Sequence, residues 1–298
     1  MSSCKSRYLL LLVSALVTWG GLANALVAGK PLRLTFDGKR KLSPAYMSAG
    51  DAIAYSVHEV PNQVIIKRLK LPDRSQDVLF PNDTAHQFDV AFSRDGRYWS
   101  YCRSAGVRQL ILVVIDTRDN NRETTFLPSG GQRSTVRSLA FTPDNTRIVF
   151  TLSGERGLQI ASVNVGCQDL KHITSSEGTN YWPSVSPDGK QIVFSSSRNG
   201  AYDIYVMTAN GDSVRRLTKS PTRDMRPVWS PDGTQIAFTS ARDGNYEIYV
   251  MSADGTNLRR ATHHSESDDF PTWQPDGRKI LTVAQRNGRY DLYVIDVP

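Results

Sequence analysis

The sequence predicts an all-β fold on three observations: a unit that recurs every 44 residues in its clearest copies, strand-length apolar runs within each unit, and six such units along the chain. The clearest copies lie in residues 178–262. In the first, Ser186-Pro187-Asp188-Gly189 leads into Gln191–Ser196, Asn199-Gly200 leads into Tyr202–Met207, and Val214-Arg215-Arg216-Leu217-Thr218 closes the unit. The second repeats these features as Ser230-Pro231-Asp232-Gly233, Arg242-Asp243-Gly244 and Leu258-Arg259-Arg260-Ala261-Thr262. A period of this length marks a repeat architecture.

Each segment has a physical role. Pro187 fixes the φ that the second position of a type I turn requires, and Gly189 can take the left-handed conformation that returns the chain to a strand. Gln191–Ser196 and Tyr202–Met207 are too short for helices and rich in β-formers, with Asn199-Gly200 as the hairpin between them. Ile192-Val193-Phe194 and Ile204-Tyr205-Val206 are apolar in succession, so both faces of the sheet must be covered. A four-stranded sheet buried on both faces and repeated at this period is a propeller blade. The predicted fold is a six-bladed β-propeller of four-stranded antiparallel blades.

The chain opens outside this pattern. Lys5 and Arg7 precede an apolar run from Tyr8 to Val17, followed by Ala23-Asn24-Ala25, the layout of a secretory leader cleaved after Ala25. The run is well short of the roughly 20 residues that a membrane span needs. Residues 1–25 are therefore expected to be a signal peptide and residues 26–298 one propeller in the periplasm, with no membrane span.

Aligned on the first turn, the six units begin at Ser48-Ala49-Gly50-Asp51, Ser93-Arg94-Asp95-Gly96, Thr142-Pro143-Asp144-Asn145, Ser186, Ser230 and Gln274-Pro275-Asp276-Gly277, with spacings of 45, 49, 44, 44 and 44. In this alignment the first unit carries its glycine one place early. Met47, Phe92, Phe141, Val185, Trp229 and Trp273 precede the turns and are expected to fill the wedges between sheets. The last unit ends at Pro298 after three strands, whereas Leu32-Arg33-Leu34-Thr35 matches the closing segment of the other units. Residues 31–36 are expected to pair with Tyr290–Val297 and lock the ring, since an unpaired apolar edge there would invite association.

Composition excludes several functions. Net charge is +7, or +5 without the leader, and the bases are interleaved with acids instead of gathered in a patch, so no nucleic acid is expected as a partner. Cys102 and Cys167 are expected to remain thiols, because an inner strand and an outer turn seldom approach within about 7 Å. Searches for a nucleophile elbow, a phosphate loop or a zinc motif find none. Three copies of Arg-x-Gly-x-Tyr-acid, pairing Arg198 with Asp203, Arg242 with Glu247 and Arg286 with Asp291, are expected to be ion pairs across each hairpin.

The loops that lead into each innermost strand share one mouth of the channel and mix charge with aromatic groups, as recognition surfaces do. Asn180, Tyr181, Arg223, Asp224, Arg226, His263 and Asp268 are the candidate partner-binding residues. Asn180, Asp224 and Asp268 have a second reading, as caps of their own loops.

The units Pro183–Thr218 and Pro227–Thr262 resemble the PDG-type, WD40-like repeats of the TolB propeller family, the periplasmic part of the Tol-Pal envelope system, and the resemblance extends over residues 31–298. It implies a non-enzymatic protein that binds an envelope protein or peptide, such as a peptidoglycan-associated lipoprotein, with no cofactor. TolB has an α/β domain ahead of its propeller; here the repeats start close to the cleavage site, so the inner-membrane half of that role does not carry over. Similar repeats also serve as gates of prolyl-peptidase-type enzymes and in some sugar-acid lyases. The alternative is thus a small periplasmic hydrolase or lyase with a metal at His263, His264 and Asp268. A monomer is the expected state.

Overall fold

The computed structural model describes residues 29–298 apart from 61, 107, 130–133, 155–156 and 177. The expected leader lies outside the described residues. Among those residues, 24 strands form six separate four-stranded antiparallel sheets. Five sheets are built in chain order. The sixth takes its outer strand from the start of the chain, where Leu32 pairs with Val294 and Arg33 with Tyr293.

Closure reproduces the chemistry of the other blades. In blades four and five the arginine of the outer strand binds the acid that starts the third strand, Arg216 to Asp203 and Arg260 to Glu247; in blade six Arg33 binds Asp291 at 2.6 Å. The following threonine hydroxyl accepts the next strand's amide, from Ile204 to Thr218, Ile248 to Thr262 and Leu292 to Thr35, at 2.9–3.0 Å. Leu34 is buried and enters the apolar cluster that joins blade six (Leu281, Val283, Leu292) to blade one (Ile53, Tyr55, Leu69). One apolar cluster fills each of the six seams, so burial is spread evenly round the ring.

The Ser-Pro-Asp-Gly turn closes on itself. Asp188 accepts Ser186 Oγ at 2.6 Å and the Lys190 amide at 3.1 Å, which holds its carboxyl below the usual range, and Gly189 sits at φ +73°. Blade one departs from the expected alignment. Its turn runs Met47 to Gly50, and Gly50 has the same φ of +73° and donates to Met47 O as Gly96 donates to Ser93 O. The glycine is therefore in register, the turn starts one residue earlier than expected, and Tyr46 rather than Met47 ends the innermost strand. A Cβ on Gly50 would meet Pro275 Cγ at 3.3 Å, so the turns also pack across the seam where the chain ends meet.

The expected hairpin ion pairs are not made. Arg198, Arg242 and Arg286 reach instead to the first residue of their own blade's innermost strand, at Asn180, Asp224 and Asp268. The acids expected to pair with them bind the outer-strand arginine. They also accept a backbone amide of the loop leading into the next innermost strand, Ser220 N to Asp203 at 3.0 Å and His264 N to Glu247 at 2.9 Å. The pairing differs because an inner-strand residue and the second hairpin lie at the same mouth, whereas the acid faces the outer strand. Cys102 is buried and Cys167 half-buried; burial pushes the Cys167 thiol up to about 11.

Candidate binding site in the channel

The innermost strands are Lys41–Tyr46, Gln87–Phe92, Val136–Phe141, Asn180–Val185, Asp224–Trp229 and Asp268–Trp273. Each slips register between its second and fifth residues. At the slip the third residue takes a left-handed backbone, with φ between +45° and +57°, at Ser43, Asp89, Ser138, Trp182, Arg226 and Phe270. None of the six is glycine, and a bulge of this kind re-aims a side chain at a strain of about 1–3 kcal/mol per residue. All six line a central cavity of about 360 Å³. Proline follows the bulge in blades one, four, five and six, where its missing N–H suits the broken ladder.

The ring has two chemically distinct halves. In blades one to three Asp89 is saturated: it accepts Ser43 Oγ at 2.7 Å, Ser138 N at 2.9 Å and Arg137 Nε at 2.5 Å. Burial alone would raise its carboxyl, but Arg137 and these bonds hold it below the usual range. It ties three innermost strands together. In blades four to six the side chains form a stack. The Trp182 ring lies 4.1 Å from Tyr181, and the Arg226 guanidinium lies 4.7 Å from Trp182 and 4.2 Å from Phe270. Asp269 Oδ1 accepts Arg226 Nη1 at 3.1 Å and is fixed by Thr239 Oγ1 and the Phe270 amide, both at 2.8 Å.

Above the bulges, the residue preceding each innermost strand forms the rim: Arg40, His86, Thr135, Thr179, Arg223 and Ser267, whose carbonyls each accept an amide from the second hairpin of the same blade. The rim carries bases and hydroxyls but no acid.

The candidate residues separate in this frame. Arg223 is exposed at the rim and His263 is exposed near the outer end of blade six's lead-in loop, while Arg226 and Tyr181 are half-buried in the stack. Asn180, Asp224 and Asp268 are fully buried, which removes them from any contact surface. Nor, among the described residues, do they accept backbone amides of their own loops. Each anchors a hairpin arginine, and Asn180 also donates to Gln159 and Ser176. His263, His264 and Asp268 do not gather: His264 Nδ1 accepts the Glu266 amide, and Asp268 is held by Arg286. Among the described residues no three His, Cys, Asp or Glu side chains lie close enough to hold a metal ion. Sequence reasoning missed Ser43, Asp89, Ser138, Trp182 and Phe270. A proline in an otherwise apolar inner strand was the available signal for three of them, since it demands a bulge.

The chain is a six-bladed propeller whose channel lining changes chemistry from blade to blade. The TolB β-propeller domain PD40 matches residues 131–298, and the chain belongs to that family. Solved structures share the fold. A protein of Agrobacterium tumefaciens assigned to TolB is 20% identical, with a TM-score of 0.68 over 89% of this chain and 93% of that one. TolB from Acinetobacter baumannii is also 20% identical, with a TM-score of 0.65 over 83% of this chain and 64% of that one. Oligogalacturonate lyase from Vibrio parahaemolyticus is 14% identical, with a TM-score of 0.60 over 89% and 93%. No curated protein sequence matches.

Proposed function

We propose that the chain is an exported, non-catalytic propeller of the cell envelope that holds a protein or peptide partner at the rimmed mouth of its channel. One observation carries this reading: the scaffold contacts repeat from blade to blade, while the six bulge residues lining the channel are Ser, Asp, Ser, Trp, Arg and Phe. A part that must only close a ring has no use for such variety, whereas a recognition surface mixes aromatic and charged groups in this way. Membership of the TolB propeller family supports the reading. It makes a peptidoglycan-associated lipoprotein the first partner to try. The leader, cleavage after Ala25, a propeller over residues 26–298, periplasmic residence and a monomeric state belong to the same proposal. No helix among the described residues is long and apolar enough to cross a membrane.

The test is partner capture by cross-linking in the intact periplasm, with the wild type and an Arg40→Glu/Arg223→Glu variant, whose two side chains are exposed at the rim and make no ion pair among the described residues. Rim charges set encounter and specificity, so the variant should lose the captured protein while melting within a few degrees of the wild type. Equal capture would move the binding face away from this mouth.

A further inference from the structure

We infer that Arg226 is a receptor for a carboxylate: an acidic side chain on a loop of the protein partner, flanked by apolar residues, enters the channel and meets the guanidinium held against Trp182 and Phe270. This deepens the partner-binding reading and rests on it.

Three observations point to that ligand. The guanidinium lies 4.7 Å from the Trp182 ring and 4.2 Å from the Phe270 ring, yet of its N–H donors only Nη1 makes a hydrogen bond among the described residues, to Asp269. Nε is buried without a partner among the described residues, whereas Nη2, which makes no hydrogen bond there either, is not buried and is the donor open to an incoming acceptor. Arg226 therefore keeps donor capacity that its one acid partner does not use. Stacking holds the fork of the guanidinium in place, which is the preorganisation that favours a planar anion over a point acceptor.

Second, the electrostatics at the mouth suit an acid. Arg40, Lys219 and Arg223 are exposed on the lead-in loops and make no ion pair among the described residues. The acids nearby are already spent: Asp83 on Tyr101 and Arg103, Glu266 on the amides of Asn287 and Gly288, Asp269 on Arg226. An approaching carboxylate meets an attractive rim before it meets the stack.

Third, the remaining wall suits a peptide better than a sugar acid. Below the bulges the cavity is lined by Ala45, Ala91, Ala140 and Val228. Of the polar groups beside it, Ser43 donates to Asp89, Asp89 is saturated and Thr272 donates to the Pro44 carbonyl. The several hydroxyls of a uronate would outnumber the partners left there and be partly desolvated without compensation, whereas an apolar side chain beside the acid carries no such cost. A cavity of about 360 Å³ admits one or two side chains.

The experiment uses the mature protein, immobilised, and two pools of capped pentapeptides that are randomised except at the centre, which is Glu in one and Gln in the other. The expected result is at least tenfold greater retention of the Glu pool, enrichment of apolar residues beside the acid, and loss of the preference in Arg226→Gln. Arg226→Lys, which keeps the charge but not the planar fork, should retain only a small part of it. Equal retention of the two pools by the wild type would overturn the inference whatever the variants do. So would retention of trigalacturonate with no acidic peptide, which would mark the channel as a sugar-acid site. Because the pools contain no natural partner, an absent acid preference alongside successful periplasmic capture sinks this inference alone. An acid preference without capture sinks the partner reading instead.

Discussion

Deleting residues 26–36 removes the strand that closes the ring, and the structure sets the size of the effect. The deletion takes away Leu34, which is 6% exposed, the Thr35 hydroxyl that serves both Asp291 and the Leu292 amide, and the Arg33–Asp291 pair. Single changes divide the loss. Leu34→Ala opens a hole in the seam between the first and last blades and should cost about 2–4 kcal/mol. Thr35→Val leaves a buried amide and a carboxylate oxygen short of a partner, about 1–3 kcal/mol. Leu32, one residue from Arg33 on the same strand, is 51% exposed, so Leu32→Ala should stay within about 0.5 kcal/mol. At about 2–4 °C per kcal/mol for a protein of this size, Leu34→Ala should melt roughly 5–15 °C below the wild type while Leu32→Ala barely moves. The full deletion should fall further and associate, since the strand Arg289–Asp296 then has an open edge. Calorimetry and light scattering read both. A truncated protein that melts with the wild type and stays monomeric, or a Leu32→Ala that costs as much as Leu34→Ala, would refute the closure.

Three further outcomes follow from the same contacts. Intact mass of the exported protein should correspond to a start at Leu26. Asp224→Asn should be tolerated within about 1 kcal/mol, because Asn180 already accepts the equivalent arginine in blade four, whereas Asp224→Ala strands Arg242 and should lower stability by about 2–4 kcal/mol in chemical denaturation. Asp89 has a carboxyl held below its ordinary value, so its contribution is present above the unfolded pKa of about 3.9 and is lost as pH falls through the lower folded value; the acid-side slope of the unfolding midpoint should flatten in Asp89→Asn.

The repeat and its closure were legible because they are local: turn residues recur at fixed offsets, and Leu32-Arg33-Leu34-Thr35 carries the same arginine and threonine that Asp291 and Leu292 need. The arginine pairings were not legible. Arg242 has Glu247 five residues away and Asp224 eighteen away, and only the sheet register shows that the nearer acid faces the outer strand. Blade one was misaligned because its turn lacks the Ser-Pro-Asp signature, and only Gly50's backbone fixes the frame. The bulge ring needed all six blades superposed, since no single strand reveals that Trp182, Arg226 and Phe270 meet. Arg226 and Tyr181 were found as loop-edge residues; their stacking was not.

A photo-cross-linking residue placed at Arg223 or, on the opposite face, at Asp232 shows in the intact periplasm whether a partner sits on the rimmed mouth. Asp232 lies in the turn that closes the far end of the channel strands and bonds within that turn. A discrete cross-linked product is expected from position 223 and none from 232. A product from 232 with none from 223 would contradict it.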